Sequence, residues 1–528
     1  MGDTRIFLTN VNMLRVYFFV ALILISGVGC SKESNQAPSE ITIISTATIN
    51  PVLKGLSTNP LLHIAVYIPE GNAETNYRSI QCTLNKDALS DLEKIEVFVT
   101  TSEAFNTNTR VATLLPTVEN FDIPIDLKAK PGVHHLWVSG MLKNSANIDH
   151  FIELHGNSMT DFSGIKKMIS EYKSGFKKRM GVALRKAGDD GVNTYRIPGI
   201  VTTDKGTLIA VYDVRYTTSR DLPGNIDVGA NRSTDGGKTW EKMKIIMDMG
   251  APHENNGVGD PCILFDPVTK KIWVAALWSK GNRSIAGSGP GLTPDETGQF
   301  VVSSSSDDGL TWSEPFSITP QVKDPKWKIF FQGPGNGTVM KDGTLVFPAQ
   351  YWDENGVPHG TIVYSADHGT SWKSGKSAKS NTTESQVVET TPGTLMLNMR
   401  DNRGSFRSVA TTTDFGKNWT EHATSYNALQ DPVCMGSLIK EPVEVKGVKK
   451  EVLFFSNPNT SSGRNNITIK ASLDLGETWD PINQLLVDER ECYGYSSLTK
   501  IDDQTIGILY EGTKDLYFVR IPIADIIK

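Results

Sequence analysis

The sequence predicts an all-β protein in which a six-bladed β-propeller follows a β-sandwich-like N-terminal domain. Three observations carry this prediction: a short turn motif that recurs five times, pairs of apolar strands in each repeated unit, and a front segment of alternating apolar and polar residues that lacks the motif. Self-similarity with a period of several tens of residues is typical of propellers and arrays. Closure of such units into a ring leaves only short, protected sheet edges.

The repeated motif is Ser/Thr-x-Asp-x-Gly-x-x-Trp. Its copies are STDGGKTW at 233–240, SSDDGLTW at 305–312, SADHGTSW at 365–372, TTDFGKNW at 412–419 and SLDLGETW at 472–479. The Asp accepts hydrogen bonds from backbone N–H groups and the Gly adopts positive φ, so a single copy would be ordinary turn chemistry. Five copies indicate repeated supersecondary units, and the terminal Trp predicts packing between neighbouring units.

Each predicted unit begins with two apolar strands. The first strands are RIPGIVT, DPCILFD, GPGNGTVM, ESQVVET, MGSLIK and YSSLTKI, and the second are GTLIAVYD, KIWVAALW, GTLVFPAQ, GTLMLNMR, EVLFFSN and TIGILYEG. The sixth unit lacks the turn motif because the chain ends. We expect the segment before Arg196 to supply its missing outer strand and close a ring over residues 184–528.

The chain before the ring divides into four predicted segments. They are a signal peptide at 1–30, a polar linker at 31–40, a β-sandwich-like accessory domain at 41–163 and a helical connector at 164–183. Short alternating runs such as LLHIAVYI and KIEVFVT predict the sandwich, for which we expect a carbohydrate-binding or docking role. Helical spacing and Lys-rich polarity in GIKKMISEYKSGFKKRM predict the connector.

The N-terminus has the pattern of an export signal. Arg15 precedes the apolar run 16–25, which is too short to span a bilayer and fits the apolar core of a secretory signal. The small-residue run SGVGC ends at Cys30 and precedes a polar stretch, as in bacterial lipoprotein signals. We expect an exported protein in the periplasm or at the cell surface, with a lipidated Cys30; cleavage nearby without lipidation is the alternative.

Charge and cysteine usage narrow the function classes. The net charge is −6 without a basic stripe, which argues against nucleic-acid binding. Cys82, Cys262, Cys434 and Cys492 are widely spaced and form no Cys-x-x-Cys pair. We therefore expect isolated buried thiols rather than a disulfide framework or a zinc site.

One face of the predicted ring collects charged groups. In an antiparallel sheet, the start of strand 1, the end of strand 2 and the connection from strand 2 to strand 3 share a face, whereas the Asp turns after strand 3 lie opposite and are structural. The groups at equivalent positions of the shared face are Arg196, Asp213, Arg215, Asp221, Asp260, Gln332, Glu384, Arg400, Arg464, Tyr495 and Glu511. Their convergence predicts an axial pocket.

The residue types in this pocket indicate an anionic ligand. Arg196, Arg400 and Arg464 could surround one carboxylate, which guanidinium grips bidentately; phosphate and sulfate are competing anions. A carboxylate nucleophile would be repelled by such a ligand. A neutral Tyr495 phenol, deprotonated by Glu384, delivers negative charge without that repulsion.

These motifs resemble those of bacterial exo-sialidases (neuraminidases) of glycoside hydrolase family 33, over roughly residues 184–525. The resemblance rests on YRIPGI at 195–200, the five turns known as Asp boxes, ESQVVE at 384–389, LNMRDNR at 397–403, SNPNTSSGRNN around Arg464 and YGYSSL at 493–498. The front module resembles the β-rich domain that precedes the propeller in related enzymes of gut bacteria.

The resemblance implies a role for each pocket residue. Arg196, Arg400 and Arg464 would bind the sialic acid carboxylate. Tyr495 would be the nucleophile, Glu384 its base and Asp221 the general acid/base. The further assignments are Arg215 as a fourth pocket arginine, Glu511 as the residue that orients Arg196, and Asp260 with Trp278 facing the N-acyl group. Five competing assignments stay open: Tyr493 as nucleophile, Glu389 as base, Asp227 as acid/base, Trp278 as core, and Arg403 or Arg407 in place of Arg400 or Arg464.

The implied function is that of a retaining exo-α-sialidase without a metal or cofactor. It would release terminal sialic acid through a tyrosyl-glycosyl intermediate. Its partners would be sialylated glycans (mucin, sialyl-oligosaccharides and gangliosides), and it would act as a monomer that meets a membrane only through its lipid anchor. The competing functions are a non-catalytic lectin and a trans-sialidase, including an intramolecular one, which would share the same catalytic residues.

Overall fold

The computed structural model describes residues 39–172, 177–281 and 283–528. The chain divides into two compact units: the first holds the residues up to Thr48 and Leu56–Arg179, and the second holds Ile49–Gly55 and Met180–Lys528. The predicted signal peptide, Cys30 and most of the linker lie outside the described residues. Within the described ranges, no helix is long and apolar enough to cross a membrane.

The described residues before 173 form strands of very different length. They are β1 Thr42–Thr46, β2 Val52–Lys54, β3 Asn59–Ile68, β4 Thr75–Leu84, β5 Leu92–Thr100, β6 Arg110–Leu114, β7 Asn120–Ala129, β8 Gly132–Leu142, β9 Phe151–Ile152, β10 Leu154–Asp161, β11 Lys166–Met168 and β12 Ser170–Tyr172, with a helix at Lys86–Asp91.

Two sheets make up the first unit. One has the order β12-β1-β3-β8-β5-β6 and the other β11-β10-β4-β7. They pack closely where β3 faces β10: a Cβ on Gly156 would lie 3.2 Å from Leu62 Cδ2. In β7 exposed and buried residues alternate strictly, as the alternating sequence predicts for a half-buried strand.

The prediction of a helical connector at 164–183 is wrong. The described part of this segment forms β11, β12 and the start of β13 (Lys178–Arg185). β11 pairs with β10, β12 runs parallel to β1, and β13 pairs with a strand near the C-terminus. These sheet edges supply backbone partners along the segment, and such tertiary pairing overrides a weak helical period.

Six mainly antiparallel sheets form most of the second unit. Sheet 1 contains β14 Thr194–Thr202, β15 Leu208–Arg215, β16 Ile226–Ser233 and β17 Lys244–Met247. Sheet 2 contains β18 Asn256–Phe265, β19 Ile272–Lys280, β20 Gln299–Ser305 and β21 Phe316–Ser317, with β23 Gly335–Asn336 beside β18. Sheet 3 contains β22 Ile329–Gln332, β24 Thr338–Val339, β25 Leu345–Trp352, β26 Pro358–Ser365, β27 Lys373–Ser374 and β28 Lys379–Ser380.

The remaining sheets follow in chain order. Sheet 4 contains β29 Thr382–Glu389, β30 Leu395–Asp401, β32 Ser408–Thr412 and β33 Thr420–Glu421, and sheet 5 contains β35 Ser437–Val445, β36 Val448–Pro458, β37 Ile467–Ser472 and β38 Gln484–Asp488. Sheet 6 contains β39 Ser496–Asp502, β40 Thr505–Glu511 and β41 Leu516–Pro522. A separate pair is formed by β31 Ser405–Phe406 and β34 Gln430–Asp431. Short helices lie at Thr319–Val322 and Ile523–Ile526, and 3₁₀ turns at Asp189–Gly191, His253–Asn255 and Ile285–Gly287.

Sheet 6 takes its fourth strand from the segment before Arg196, as predicted. β13 pairs antiparallel with β41, with Gly181 opposite Val519, and β2 runs parallel along the other side of β13. The first strands of neighbouring sheets also approach one another closely. Ile200 N donates to Ser497 Oγ at 3.1 Å, which joins sheet 1 to sheet 6. A Cβ on Gly199 would lie 2.7 Å from Gly335 O, so only glycine permits this contact.

The Asp turns follow the third strand of their sheets and have the predicted hydrogen bonds. In the first, Thr239 N and Gly237 N each donate at 2.9 Å, to Asp235 Oδ1 and Ser233 Oγ respectively. The terminal Trp residues pack between sheets, as predicted: Trp240 meets Phe518 of sheet 6 edge to face at a centroid distance of 5.1 Å.

The pairing register sets which loops share a face. Thr194 at the start of β14 lies opposite Arg215 at the end of β15, whereas Ser233 at the end of β16 lies opposite Leu208 at the start of β15. The Asp turns therefore lie at the opposite end of the sheets from the starts of the first strands. Cys82, Cys262 and Cys434 are buried free thiols, and Cys492 is a half-buried one.

Candidate active site

Three charged site residues lie at β-bulges in the first strands of their sheets. The register shifts between Arg196 and Gly199 in β14, between Gly259 and Cys262 around Asp260 in β18, and between Thr382 and Ser385 around Glu384 in β29. A bulge bends the strand and redirects a side chain that would otherwise follow the pleat. Each of these three sheets in this way presents a charged group at the same end of the second unit.

Glu384, Arg400 and Tyr495 form one hydrogen-bonded cluster. The Tyr495 hydroxyl donates to Glu384 Oε1 at 2.5 Å, and Arg400 Nη1 donates to Glu384 Oε2 at 2.5 Å and to Tyr495 Oη at 3.1 Å. Burial and the negative charge of Glu384 raise the pKa of Tyr495 well above its usual range, so the phenol is neutral in the unliganded protein. The carboxylate is therefore positioned to accept its proton.

Glu511 connects two site residues. This fully buried carboxylate accepts from Arg196 Nε at 3.1 Å, from Ile197 N at 2.9 Å and from Tyr495 N at 2.9 Å. Ile197 has φ of 56°, which is unusual for a β-branched residue. Glu511 thus orients Arg196, as the family resemblance implies, and also holds the backbone beside Tyr495.

The three predicted carboxylate-binding arginines surround Tyr495. Arg400 reaches its hydroxyl, and the guanidiniums of Arg196 and Arg464 lie 5.4 and 5.7 Å from its ring centroid. Arg464 Nη1 donates to Tyr493 O at 2.9 Å. Positive charge concentrated around one phenol favours an anionic ligand at that point.

Asp221 lies beside the arginines on the loop between β15 and β16. Its Oδ1 accepts from Arg215 Nη1 at 2.8 Å and from Arg196 Nη1 at 3.4 Å, while 64% of its side chain is exposed. The surrounding protein partly desolvates this carboxylate, which raises its pKa, but the charges of Arg215 and Arg196 outweigh that effect and lower the pKa below its usual range. The group is a carboxylate when no ligand is bound.

Arg215 and Asp260 are held by Asp213. Arg215 donates from Nη2 to Asp213 Oδ2 at 2.8 Å, and Asp260 N donates to Asp213 Oδ1 at 2.8 Å. Gln332 Nε2 donates to Asp260 O at 2.6 Å. Burial and the nearby carboxylates of Asp213 and Asp221 raise the pKa of Asp260 well above its usual range, which favours the protonated carboxyl.

Glu389 and Asp227, the two competing carboxylates, lie in other surroundings. Glu389 accepts from Lys341 N at 2.7 Å and Gly393 N at 2.8 Å at the far end of β29, where it caps a turn. Asp227 accepts from Tyr216 Oη at 2.9 Å, and burial raises its pKa to about 6. Neither has a hydrogen bond to Tyr495 or to a site arginine among the described residues.

The structure also shows where the remaining alternatives lie, namely Tyr493, Trp278 and Arg403. Tyr493 lies close to the cluster, because the Arg196 guanidinium is 4.9 Å from its ring centroid. Trp278 is half-buried and packs against the apolar cluster of sheets 1 and 2. Arg403 pairs with Asp401 at 3.0 Å. Of the two tyrosines, it is Tyr495 whose hydroxyl bonds Glu384.

Arg407, an open alternative for a carboxylate-binding arginine, is buried and supports the site from behind. This buried residue donates to Glu384 O at 3.4 Å, to Cys434 O at 2.5 Å and to Asp431 Oδ2 at 3.1 Å. It therefore joins the backbone of Glu384 to that of Cys434, which packs against Tyr495. The one available signal was the proximity of Arg407 to Arg400 in sequence, which does not distinguish structural from ligand-binding arginines.

The described side chains were compared with the arrangement that a metal ion requires. In the described part of the chain, no group of three or more His, Cys, Asp or Glu side chains is arranged to hold a metal ion.

Known proteins resemble this chain over both of its units. A family model described as BNR repeat-like domain matches residues 197–511, and one described as N-terminal domain of BNR-repeat neuraminidase matches residues 39–161. A sialidase of Bacteroides fragilis is 50% identical over 412 residues, which cover 76% of each chain. A sialidase of Micromonospora viridifaciens is 32% identical and matches 64% of this chain and 53% of its own.

A solved structure has the same overall organisation of the chain. The Hadza microbial sialidase Hz136 superposes with a TM-score of 0.85 at 40% identity, covering 92% of this chain and all of the other. The sheets and the family match identify an all-β protein with BNR repeats. More particularly, this chain belongs to the bacterial sialidase family, as an enzyme of the exo-α-sialidase class.

Proposed function

We propose that the chain is a retaining exo-α-sialidase that releases terminal sialic acid through a covalent intermediate on Tyr495. The observation that carries the proposal is the 2.5 Å hydrogen bond from the Tyr495 hydroxyl to Glu384, within a ring of three arginines. A phenol bonded to a carboxylate base is a paired nucleophile and base. The surrounding positive charge suits a substrate whose reacting carbon bears a carboxylate.

Arg196, Arg400 and Arg464 would bind the substrate carboxylate. Arg196 is fixed by Glu511, Arg400 by Glu384, and Arg464 by backbone carbonyls, so each guanidinium is oriented before the ligand arrives. Preorganised donors avoid the cost of reorganisation when the substrate binds. Asp260 lies beside Arg215 and, in its protonated form, would donate a hydrogen bond to the polar substituents of the sugar ring.

The first step would form the glycosyl-enzyme. Tyr495 Oη attacks the anomeric carbon as its proton passes to Glu384, and the bond from that carbon to the glycosidic oxygen breaks. Protonated Asp221 gives its proton to the leaving oxygen. The substrate carboxylate would partly neutralise Arg196, which removes one of the charges that lower the pKa of Asp221 and so favours this protonated form.

The second step would return the enzyme to its starting state. The Asp221 carboxylate takes a proton from water, the resulting hydroxide oxygen bonds to the anomeric carbon, and the bond to Tyr495 breaks. Glu384 gives the proton back to the phenolate oxygen. Two displacements at the same carbon retain its configuration.

We also propose that the six sheets form a closed six-bladed propeller around the site. Support comes from β13, which completes sheet 6, and from the hydrogen bond that joins sheet 1 to sheet 6 through Ile200 and Ser497. A ring of this kind brings the starts of all first strands to one axis, where the candidate residues lie.

The substrates would be terminal sialosides of mucin, sialyl-oligosaccharides and gangliosides, cleaved by an exported monomer.

The pattern at residues 13–30 supports export and a lipid on Cys30. Metabolic labelling with a fatty acid tests the anchor: the wild type should carry label and Cys30→Ala should not. Equal labelling of both proteins would refute lipidation at Cys30.

Variants of the paired residues test the mechanism. Tyr495→Phe keeps the ring but removes the attacking oxygen, and Glu384→Gln cannot take the phenolic proton. In both variants kcat should fall by several orders of magnitude while sialoside binding survives.

Trapping of the intermediate is a second test. A fluorosialyl donor should leave an adduct that mass spectrometry places on the wild-type peptide containing YGYSSL. An adduct elsewhere, or near-normal turnover of Tyr495→Phe, would remove Tyr495 as nucleophile.

Product analysis separates the competing functions. Incubation with a sialyl-lactose should release free sialic acid. An anhydro sugar would identify an intramolecular trans-sialidase, and a new sialoside would identify a trans-sialidase. Binding without any turnover would identify a lectin.

A further inference from the structure

We propose that a cavity on sheet 3 of the second unit binds a neutral hexopyranose of a glycan chain. This cavity, here called the sheet 3 cavity, has a volume of about 630 Å³. It is lined by Asp324, Trp327, Tyr351, Lys376 and Ser377 among others. None of these residues belongs to the cluster around Tyr495, so the cavity is distinct from the candidate active site.

Stacked aromatic rings form one wall of the sheet 3 cavity. The half-buried Trp327 stacks on Tyr351 with centroids 3.8 Å apart and an interplanar angle of 13°, and Tyr351 stacks in turn on His359 at 4.8 Å. The face of an aromatic ring is electron-rich and attracts weakly positive C–H groups. The apolar face of a pyranose presents such groups, so a sugar ring can stack on the half-buried Trp327 from the cavity side.

Polar groups complete the lining. Asp324 and Lys376 are exposed at the cavity, and the Ser377 hydroxyl lies 2.9 Å from His359 Nδ1. Charged groups form the stronger hydrogen bonds with hydroxyls. An aromatic wall with a few convergent polar groups is the usual composition of a small-ligand site.

The position of the cavity suits a glycan that is also held at the active site. Trp327 comes five residues before Gln332, which bonds the backbone of Asp260, so at most about 18 Å of extended chain separates them. An oligosaccharide of a few residues covers that distance. Simultaneous binding at both places would raise the effective concentration of a branched or polymeric substrate near Tyr495.

Binding of a glycan without sialic acid tests the inference apart from the catalytic mechanism. The probe is desialylated mucin glycopeptide, titrated into the full chain by calorimetry. Trp327→Leu should weaken its binding at least about fivefold, because the ring stack is lost. The matched control is Phe316→Leu, a 43% exposed aromatic of sheet 2 outside the cavity, which should bind like the wild type.

Kinetics supply a second measurement, which rests on the proposed sialidase activity. Trp327→Leu should lower kcat/KM on intact mucin while leaving kcat/KM on a small soluble sialoside unchanged. If Trp327→Leu does not fold, Lys376→Ala replaces it, because that exposed side chain contributes little to the core. Folded variants of the cavity that bind the probe like the wild type, a wild type that does not bind it, or crystals with the sugar only outside the sheet 3 cavity would overturn the proposal.

Discussion

Arg464 differs from the other two carboxylate-binding candidates because backbone carbonyls, rather than a carboxylate, hold its guanidinium. Its Nη1 donates to Tyr493 O at 2.9 Å and its Nη2 to Val433 O at 3.4 Å. In the part of the chain that the structure describes, no carboxylate is bonded to this guanidinium. The full charge and the planar fork remain available to a ligand.

Arg464→Lys should raise KM for a sialoside roughly 10- to 100-fold, because an ammonium cannot reproduce two parallel bonds to a carboxylate. Steady-state kinetics on a small sialoside measure the effect. The control is Arg403→Lys, whose guanidinium already pairs with Asp401 and which should behave like the wild type. If Arg403→Lys shows the rise in KM and Arg464→Lys does not, the assignment of the third arginine is wrong.

Asp221 provides a pH-dependent test of the acid/base assignment. As an acid it must be protonated, and the protonated fraction falls as pH rises through its lowered pKa. Arg215→Gln removes the positive charge that is bonded to it and should raise that pKa. The alkaline limb of kcat/KM against pH should therefore move to higher pH.

Arg215→Lys retains a positive charge and serves as the control for this profile. Its alkaline limb should stay near that of the wild type, although KM changes in both variants because Arg215 is a pocket residue. The pH dependence of kcat/KM is the relevant quantity because it reports the free enzyme. A limb that does not move in Arg215→Gln would argue against Asp221 as the acid.

Among the secondary-structure elements, the loop that carries Asp221 depends on a close backbone approach to β18. Leu222 is buried among Ile226, Leu277, Ile329 and Phe331, which anchors the loop next to Asp221. A Cβ on Gly257 of β18 would lie 2.3 Å from Gly224 O and 2.7 Å from Leu222 Cδ2. The absence of a side chain at Gly257 thus allows the loop to reach the arginines.

Gly257→Ala should displace this loop and lower kcat by roughly 10- to 100-fold, since a shift of about 1 Å at a catalytic group has effects of that size. The matched control is Gly224→Ala, where the nearest atom to the new Cβ is 3.9 Å away. Kinetics and thermal unfolding of both variants provide the comparison. Equal kcat for Gly257→Ala and the wild type would show that the loop adapts without loss of geometry.

In the chain taken as a whole, the candidate catalytic residues all belong to the second unit. The first of them along the chain is Arg196, and the unit also includes β13 and the short strand β2 at Val52–Lys54. The loss of β2 would uncover one side of β13 but remove no residue of the candidate site.

A chain that starts at residue 177 keeps all of β13 and should retain most activity on a small soluble sialoside. Its action on polymeric mucin should decline, because the N-terminal domain is expected to bind or dock the polymer. Kinetics on both substrates, with circular dichroism to establish folding, measure the result. A folded truncated protein without activity on the small substrate would mean that residues before 177 are needed to form the site.

Much of the element-level organisation was predictable from sequence because it depends on local chemistry. Each Asp turn bonds groups within a few residues, as when Asp235 accepts from Thr239 N, so the motif alone specifies the turn. The connector was predicted wrongly for the opposite reason. β13 obtains its backbone partners from β41, more than three hundred positions away, and no local pattern reports that pairing.

The repeated units, the chemistry of the turns and the residue types of the pocket could all be read from the chain alone. Which of those residues meet depends on the folded molecule. Tyr495 bonds Glu384 across 111 positions and Arg196 bonds Glu511 across 315. Folding also gives Asp221 and Asp227, and Arg400 and Arg407, different hydrogen-bond partners, although each pair is close in sequence. The physical reason is that hydrogen bonding and burial depend on contacts between distant strands, which local composition and spacing do not specify.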